Sequence, residues 1–215
     1  MRIFEITNGG EDITNGYDGE ILNDEDTVIG RTVAWIKEQC SDFITEMGGW
    51  EIVLDNPLWR GSFDITDDIQ IVTPRKDRLP RNTNRIVQQL YDNWFIEHTE
   101  VAWRSSGVFA TGGASEASGY GGLHVFMPIG EYRYCWSPKY KDLFNEGPRL
   151  SQFTEIPEED LPELTQTVNT LLAKGKYILD ASLLQGVESK HEVMFVCEKY
   201  LMIRKHMFEI IREIQ

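Results

Sequence analysis

Apolar residues recur along this chain with two spacings, one typical of helices and one typical of strands. From Asp26 to Met47 they recur at steps of three and four, which predicts a long first helix. The same spacing predicts a second helix over Thr83–Phe95 and a third over Glu158–Ala173. Gly48 and Gly49 follow the first stretch and are expected to end that helix.

Short apolar runs bounded by glycine, proline and asparagine predict the strands. The predicted extended segments are Trp50–Trp59, Asp68–Thr73, Gly107–Ala110, Leu123–Met127, Tyr132–Trp136 and Glu192–Met202. Residues 1–26 carry Gly-Gly, Asn-Gly and Asp-Gly turn pairs, and the last residues suit a strand or a short helix. Long helices come early and strands cluster late, which favours an α+β class over a repeating βαβ fold. We expect a single domain over 1–215, with a helical lead-in (1–49) and a core (50–203).

The net charge of −14 argues against broad, nonspecific binding to nucleic acid, which needs a basic surface. Positive charge dominates in one cluster only: Arg75, Lys76, Arg78, Arg81 and Arg85. That cluster is either a solvated loop before a helix or a surface that binds an anion.

The cysteines Cys40, Cys135 and Cys197 lack the spacing of a metal site, and so do the histidines. No metal centre is therefore expected. An odd cysteine count without a secretory signal favours a reducing compartment, so we expect a cytoplasmic protein. No apolar run reaches the roughly 18 residues of a membrane span. The chain also lacks the glycine-rich P-loop and the Gly-x-Ser-x-Gly nucleophile turn.

Three segments carry the candidate chemistry. The first is 58–62 (Leu-Trp-Arg-Gly-Ser), and the second is 107–112 (Gly-Val-Phe-Ala-Thr-Gly), followed by Ala117 and Tyr120. The third is 191–195 (His-Glu-Val-Met-Phe). Their order and spacing resemble the ADP-ribosyltransferase fold in its arginine–serine–glutamate form, over roughly residues 52–203. The chain is also similar to small bacteriophage proteins with Phe-x-Thr-Gly, Pro-Ile-Gly and Trp-Ser-Pro elements, here at 109–112, 128–130 and 136–138.

The resemblance implies two small packed sheets, antiparallel or mixed, preceded by N-terminal helices. It also implies NAD as the substrate and a role for each residue. Glu192 would stabilise the oxocarbenium-like ribosyl cation, as a carboxylate does in glycoside cleavage. Arg60, followed by Gly61, would bind the pyrophosphate. Thr111 would supply the orienting hydroxyl, and Tyr120 would stack on the nicotinamide ring.

Each of these residues also has a purely structural interpretation. Arg60 suits a surface position at a strand end, and Thr111 suits a turn before two glycines. Glu192 suits an exposed strand start, and Tyr120 suits packing. The hydroxyl element can instead be Ser105 or Ser106.

The sequence departs from the arginine-modifying members of the family at one position. Those members carry a second acidic residue two places before the catalytic glutamate, where this chain has Lys190; Glu188 is a weaker alternative. The acceptor therefore stays open between a host protein and a nucleic acid.

The function expected first is a phage-encoded, NAD-dependent ADP-ribosyltransferase-like protein that acts on a host macromolecule. The alternative is a catalytically inactive member of the same fold that binds a nucleotide or a protein. A third hypothesis is an unrelated α+β enzyme whose basic cluster binds a phosphorylated substrate.

Overall fold

The computed structural model describes residues 7–8, 11–12, 25–76, 83–151 and 153–214. The chain divides into two compact units, each built from several stretches of sequence. Unit 1 comprises Met1–Thr73, Ala110–Tyr132 and Cys197–Gln215, and unit 2 comprises Pro74–Phe109 and Arg133–Val196. The α+β class predicted from the sequence is confirmed, with mainly antiparallel strand pairing. The expectation of a single domain stays a prediction.

The helices and strands alternate irregularly along the chain. The helices are α1 (Glu25–Gln39), α2 (Ser41–Met47), α3 (Trp50–Asp55), α4 (Arg85–Thr99), α5 (Trp103–Ser106), α6 (Ala114–Ser118), α7 (Leu143–Glu146), α8 (Leu161–Gly175), α9 (Leu183–Glu188) and α10 (Lys205–Ile214). The strands are β1 (Thr7–Asn8), β2 (Glu11–Asp12), β3 (Trp59–Ser62), β4 (Ile69–Val72), β5 (Val108–Thr111), β6 (Gly122–Trp136), β7 (Ile178–Leu179) and β8 (Glu192–Arg204). None of the described helices combines the length and apolarity that crossing a bilayer requires.

The long first helix predicted from the sequence is two helices. It breaks at Cys40, whose backbone leaves the helical conformation between α1 and α2. The apolar stripe continues across the break, because Cys40 is itself buried with Ile36 and Phe43. Gly48 ends α2 in the left-handed conformation (φ 97°), as the sequence predicted.

The prediction of an extended segment at Trp50–Trp59 was wrong over its first part, which forms α3. Trp50, Val53 and Leu54 are buried while Glu51 and Asp55 are exposed. Buried residues three and four apart lie on one face of a helix, whereas a strand would alternate them between two faces. The extended backbone begins only at β3.

Unit 1 pairs its strands mainly antiparallel. β3 lies between β5, where Trp59 is opposite Thr111, and β6, where Arg60 is opposite His124. β4 pairs antiparallel with β8 over four residues on each strand and parallel with β1 at one position. β8 ends at Arg204 and α10 begins at Lys205, so the strand leads into the helix without a loop between them.

Unit 2 has its core between α4 and α8. Fully or nearly fully buried side chains fill it: Val87, Tyr91, Phe95, Trp103, Cys135, Leu143, Val168, Leu172 and Met194. Asn84 caps α4 by accepting the Ile86 N–H at 2.9 Å. Pro162 lies in the first turn of α8, where its missing N–H removes no helical hydrogen bond.

Candidate functional site

The Glu192 carboxylate at the start of β8 is held by an arginine within unit 2. Nη1 of Arg104 donates to Oε1 of Glu192 at 2.8 Å, and the two side chains are only 11% and 19% exposed. Burial lowers the pKa of the Arg104 guanidinium, but attraction to Glu192, and to a lesser extent to Tyr177, Asp142 and Tyr91, leaves that pKa raised. The arginine therefore stays charged, and the carboxylate has a fixed orientation.

Aromatic rings and a thioether surround this ion pair. The guanidinium of Arg104 lies 4.4 Å from the centre of the Phe109 ring and 3.9 Å from the sulfur of Met194. Burial raises the pKa of Tyr91 to about 12, with Arg104 lowering it and the Glu192 charge raising it. A weakly hydrated guanidinium on an aromatic face is a stable arrangement away from water.

Tyr177 adds a hydroxyl to the same cluster. Burial raises its pKa well above the ordinary tyrosine value, with the Glu192 charge as the next contribution. The hydroxyl oxygen is buried and has no hydrogen-bond partner among the described residues. Because an unpaired buried hydroxyl is costly, this group is a candidate contact for a polar ligand.

The backbone that presents Arg104 is fixed by Asp92 of α4. Oδ1 of this buried carboxylate accepts the N–H groups of Arg104 at 2.8 Å and Ser105 at 3.3 Å. Burial raises the pKa of Asp92, and these hydrogen bonds oppose the shift. Ser106 donates its hydroxyl to the Ala102 carbonyl at 2.6 Å. Ser105 and Ser106, considered above as alternative hydroxyl elements, are therefore both engaged around α5.

The backbone at Glu192 is anchored by the Trp-Ser-Pro segment. The Glu192 N–H donates to the Lys141 carbonyl at 2.8 Å, and Nδ1 of His191 lies 2.7 Å from the Ser137 carbonyl oxygen. The buried Ser137 hydroxyl donates to the Gly175 carbonyl and accepts the Lys139 N–H. These bonds fix where β8 begins, and with it the position of the carboxylate.

The other predicted site residues belong to unit 1, where the strand register decides their orientation. Residues directly opposite each other in antiparallel strands share a face, and neighbours along a strand face opposite ways. Because Trp59 is opposite Thr111, the side chain of Arg60 lies on the other face from Thr111 and shares its face with His124. The register therefore does not bring Arg60 and Thr111 onto one face, as a shared role would require.

Thr111 and Gly61 each have a local structural role. The Thr111 hydroxyl oxygen accepts the Gly113 N–H at 3.1 Å, which stabilises the turn after β5. A side chain at position 61 would overlap the carbonyl oxygen of Ala117, so Gly61 permits the close approach of β3 and α6. Tyr120, just beyond α6, is 52% exposed.

Outside these residues, the basic cluster is only partly described. Arg75, Lys76 and Arg85 are exposed, whereas Arg78 and Arg81 lie outside the described residues. Glu188 is exposed at the end of α9. Across the described ranges, no group of three or more histidine, cysteine, aspartate or glutamate side chains is arranged to hold a metal ion.

The sequence interpretation missed Arg104, Asp92 and Tyr177 as parts of the Glu192 cluster. Arg104 drew attention only through the serines beside it. The available signal was a charged residue directly after Val-Ala-Trp (101–103), since a charge that close to a core requires a partner.

Comparison of the chain with protein-family models, with curated proteins and with solved structures gives no match. Functional inference therefore rests on the geometry of the two units and on the resemblance of the three segments.

Proposed function

We propose that this chain is an ADP-ribosyltransferase-like protein that uses NAD and transfers ADP-ribose to a host macromolecule, with Glu192 as the central catalytic group. The observation that carries the proposal is the 2.8 Å ion pair that orients the Glu192 carboxylate within a largely buried, aromatic environment. The fold expected with it is the ADP-ribosyltransferase fold of two small packed sheets, and the gene would be of phage origin.

The chemistry assigned to Glu192 follows from the bond that has to break. When the bond between nicotinamide and ribose lengthens, positive charge develops on the ribose ring, as in glycoside cleavage. A carboxylate held in place beside the ring stabilises that charge without having to reorganise. Arg104 is a positioning residue, because it acts on the substrate through Glu192. Poor solvation around the pair strengthens every electrostatic interaction in it.

The unit 1 residues are assigned to binding. Arg60 would bind the NAD pyrophosphate, since a guanidinium donates two parallel hydrogen bonds to phosphate oxygens. Gly61 would let α6 pack against β3 beside Arg60, and the exposed Tyr120 would stack on the nicotinamide. Thr111 is proposed as the residue that shapes the turn after β5, in place of a direct contact with Arg60, because the two side chains lie on opposite faces.

A catalytically inactive, nucleotide- or protein-binding member of the same fold is the second candidate. The observation that favours it is the same ion pair, since a glutamate held by an arginine also suits a purely structural role. Lys190 in place of a second acidic residue points the same way. Two aromatic side chains on unit 1, Phe63 (72% exposed) and Tyr120 (52% exposed), offer apolar contacts to a protein partner.

Incubation of the full chain with NAD labelled in its adenylate part, with and without host-cell extract, tests the proposal. Label transferred to a macromolecule, or release of free nicotinamide, is expected for the wild type. Glu192→Gln should reduce either product by at least about 100-fold, since it removes a charge that acts in the transition state. Glu198→Gln is the matched control, because it makes the same chemical change on an exposed side chain of the same strand.

The results separate the two candidates. NAD binding by calorimetry without turnover in any extract would favour the inactive member. Turnover that is unchanged in Glu192→Gln would refute the assignment of Glu192. Absence of both NAD binding and turnover would refute the transferase and the NAD-binding form of the second candidate.

A further inference from the structure

Unit 1 contains an open pocket of about 490 Å³ at the point where β8 becomes α10. Gly122, His124, Arg204, Lys205, His206 and Glu209 contribute to its lining. A water molecule occupies about 30 Å³ in the liquid, so the pocket has room for a phosphate-sized ion that carries an organic group. The volume is also within the range of small-molecule sites.

The charges at this pocket are arranged to favour an anion. Arg204, Lys205 and His206 sit where the positive end of the α10 dipole lies, and the first turn of the helix has no acidic residue. Cations at this end of a helix are normally unfavourable, and the first N–H groups of a helix lack helical partners. An anion bound here would offset both effects.

Two carboxylates already face these basic side chains. Asp68 contacts Arg204 Nη1 at 3.4 Å and His206 Nε2 at 3.2 Å, and Glu209 contacts Lys205 Nζ at 3.5 Å. The Arg204 guanidinium also donates to the Thr66 carbonyl. These carboxylates are 35% and 56% exposed, so water and salt screen both pairs and Lys205 can turn toward a ligand.

His124 specifies what the ligand must offer. The side chain is 99% buried, and its Nδ1 lies 2.8 Å from the Gly122 carbonyl oxygen. A carbonyl only accepts hydrogen bonds, so Nδ1 carries the proton and Nε2 of the neutral ring is an acceptor. Burial lowers the pKa of His124, and the charges of Arg204 and Arg60 lower it further, which keeps the ring neutral.

The second nitrogen of this ring is unsatisfied. Nε2 of His124 is buried and has no hydrogen-bond partner among the described residues. A ligand that fits the pocket therefore presents a donor to Nε2 and negative oxygens to the α10 N-terminus. Free phosphate keeps a P–O–H at neutral pH, and a phosphate monoester, whose second pKa is about 6, has one in its singly protonated form, which a hydrogen bond to Nε2 would favour. Sulfate and the pyrophosphate diester of NAD carry no such proton at neutral pH.

We propose that this pocket binds a terminal phosphate group, which donates its P–O–H to His124 Nε2 and places its anionic oxygens at Lys205 and the first N–H groups of α10. The occupant is a phosphate monoester or free phosphate. This proposal does not rest on the NAD chemistry, because the pyrophosphate of NAD has no P–O–H to donate to His124, even though Arg60 shares a face with that residue.

Titration calorimetry on the full chain, at matched ionic strength, uses inorganic phosphate, glycerol 3-phosphate, sulfate and NAD as probes. Phosphate or glycerol 3-phosphate should bind at least about tenfold more tightly than sulfate, and NAD should not displace them. Whichever of the two phosphate probes binds more tightly identifies the source of the group. Lys205→Gln should weaken phosphate binding about fivefold, while Lys199→Gln, the same change on an exposed side chain of β8, should not.

A direct readout of His124 in the wild-type protein avoids relying on variants that fail to fold. The ¹⁵N chemical shift of Nε2 should move on addition of phosphate, as expected when this nitrogen accepts a hydrogen bond, and should not move with sulfate. His124→Phe should reduce the preference for phosphate over sulfate toward onefold. Equal binding of phosphate and sulfate, or an unchanged Nε2 resonance at saturating phosphate, would overturn the proposal.

Discussion

Replacing Arg104 with methionine tests whether the ion pair to Glu192 is energetically important. At an effective dielectric constant of about 20, unit charges at the observed 2.8 Å attract by about 6 kcal/mol. Removing both charges from water costs several kcal/mol and offsets much of that attraction. With the side chains 11% and 19% exposed, we expect a net coupling energy of about 2 kcal/mol between Arg104 and Glu192. Arg104→Met alone should lower the free energy of unfolding by about 3 kcal/mol, because it leaves the carboxylate unpaired.

A double-mutant cycle measures this coupling. Arg104→Met, Glu192→Met and the double variant are unfolded in urea and followed by tryptophan fluorescence, with the slope of each transition compared as a check on cooperativity. The double variant should lose about 2 kcal/mol less stability than the two single losses combined. This is expected because the second substitution removes a charge that the first has left unpaired.

The exposed pair Arg212–Asp55 is the matched control for the cycle. Its atoms are 3.2 Å apart, but its side chains are 57% and 67% exposed, so its coupling should stay below about 1 kcal/mol. A coupling for Arg104–Glu192 that is below about 0.5 kcal/mol, or no larger than that of the control pair, would refute the reasoning. It would also remove the argument that Arg104 fixes the orientation of the carboxylate.

Three further predictions concern packing, protonation and thiol reactivity. Gly61→Ala should lower the free energy of unfolding, measured by chemical denaturation, by more than about 2 kcal/mol, because the added Cβ meets a backbone oxygen. Gly119→Ala is the control and should change it little or not at all, because its Cβ makes only an ordinary 3.6 Å contact. Because the pKa of Asp92 is raised, the folded state binds more protons than the unfolded state above pH 3.8 and loses stability as pH rises through the shifted value. The Asp92→Asn variant should therefore gain stability relative to wild type between pH 4 and 7. A stability difference that does not change with pH would contradict this. Burial raises the pKa of both Cys40 and Cys197 to about 12, so iodoacetamide at pH 8 should label the native thiols far more slowly than the unfolded chain, and equal rates would show that they are accessible.

Local patterns were sufficient to predict much of the secondary structure. The helical spacing around α4 and α8, Pro162 in the first turn of α8 and the glycine that ends α2 were all readable from the chain, since each depends on neighbours within one or two helical turns. Trp50–Asp55 shows the limit of this approach. A short apolar run fits a strand and a helix equally well until packing selects which residues are buried.

The candidate site likewise contains residues that the sequence identified and contacts that only packing decided. The sequence singled out Glu192 and Arg60 by their positions in short motifs. It did not pair Glu192 with Arg104, which lies 88 positions earlier in the chain. It also gave no sign that Arg60 and Thr111 face opposite ways. That outcome depends on a strand register in which Trp59, and not Arg60, lies opposite Thr111.

By itself, the sequence determined the α+β class, the three longest helices and the residue types available for chemistry, because propensity and periodicity act over short distances. The tertiary structure decided which charges meet. It placed the Arg104–Glu192 pair among aromatic rings, buried His124 with one nitrogen unsatisfied, and brought three basic residues to the start of α10. The first two of these arrangements depend on contacts between distant segments, where burial strengthens electrostatic interactions and leaves any unpaired polar group costly.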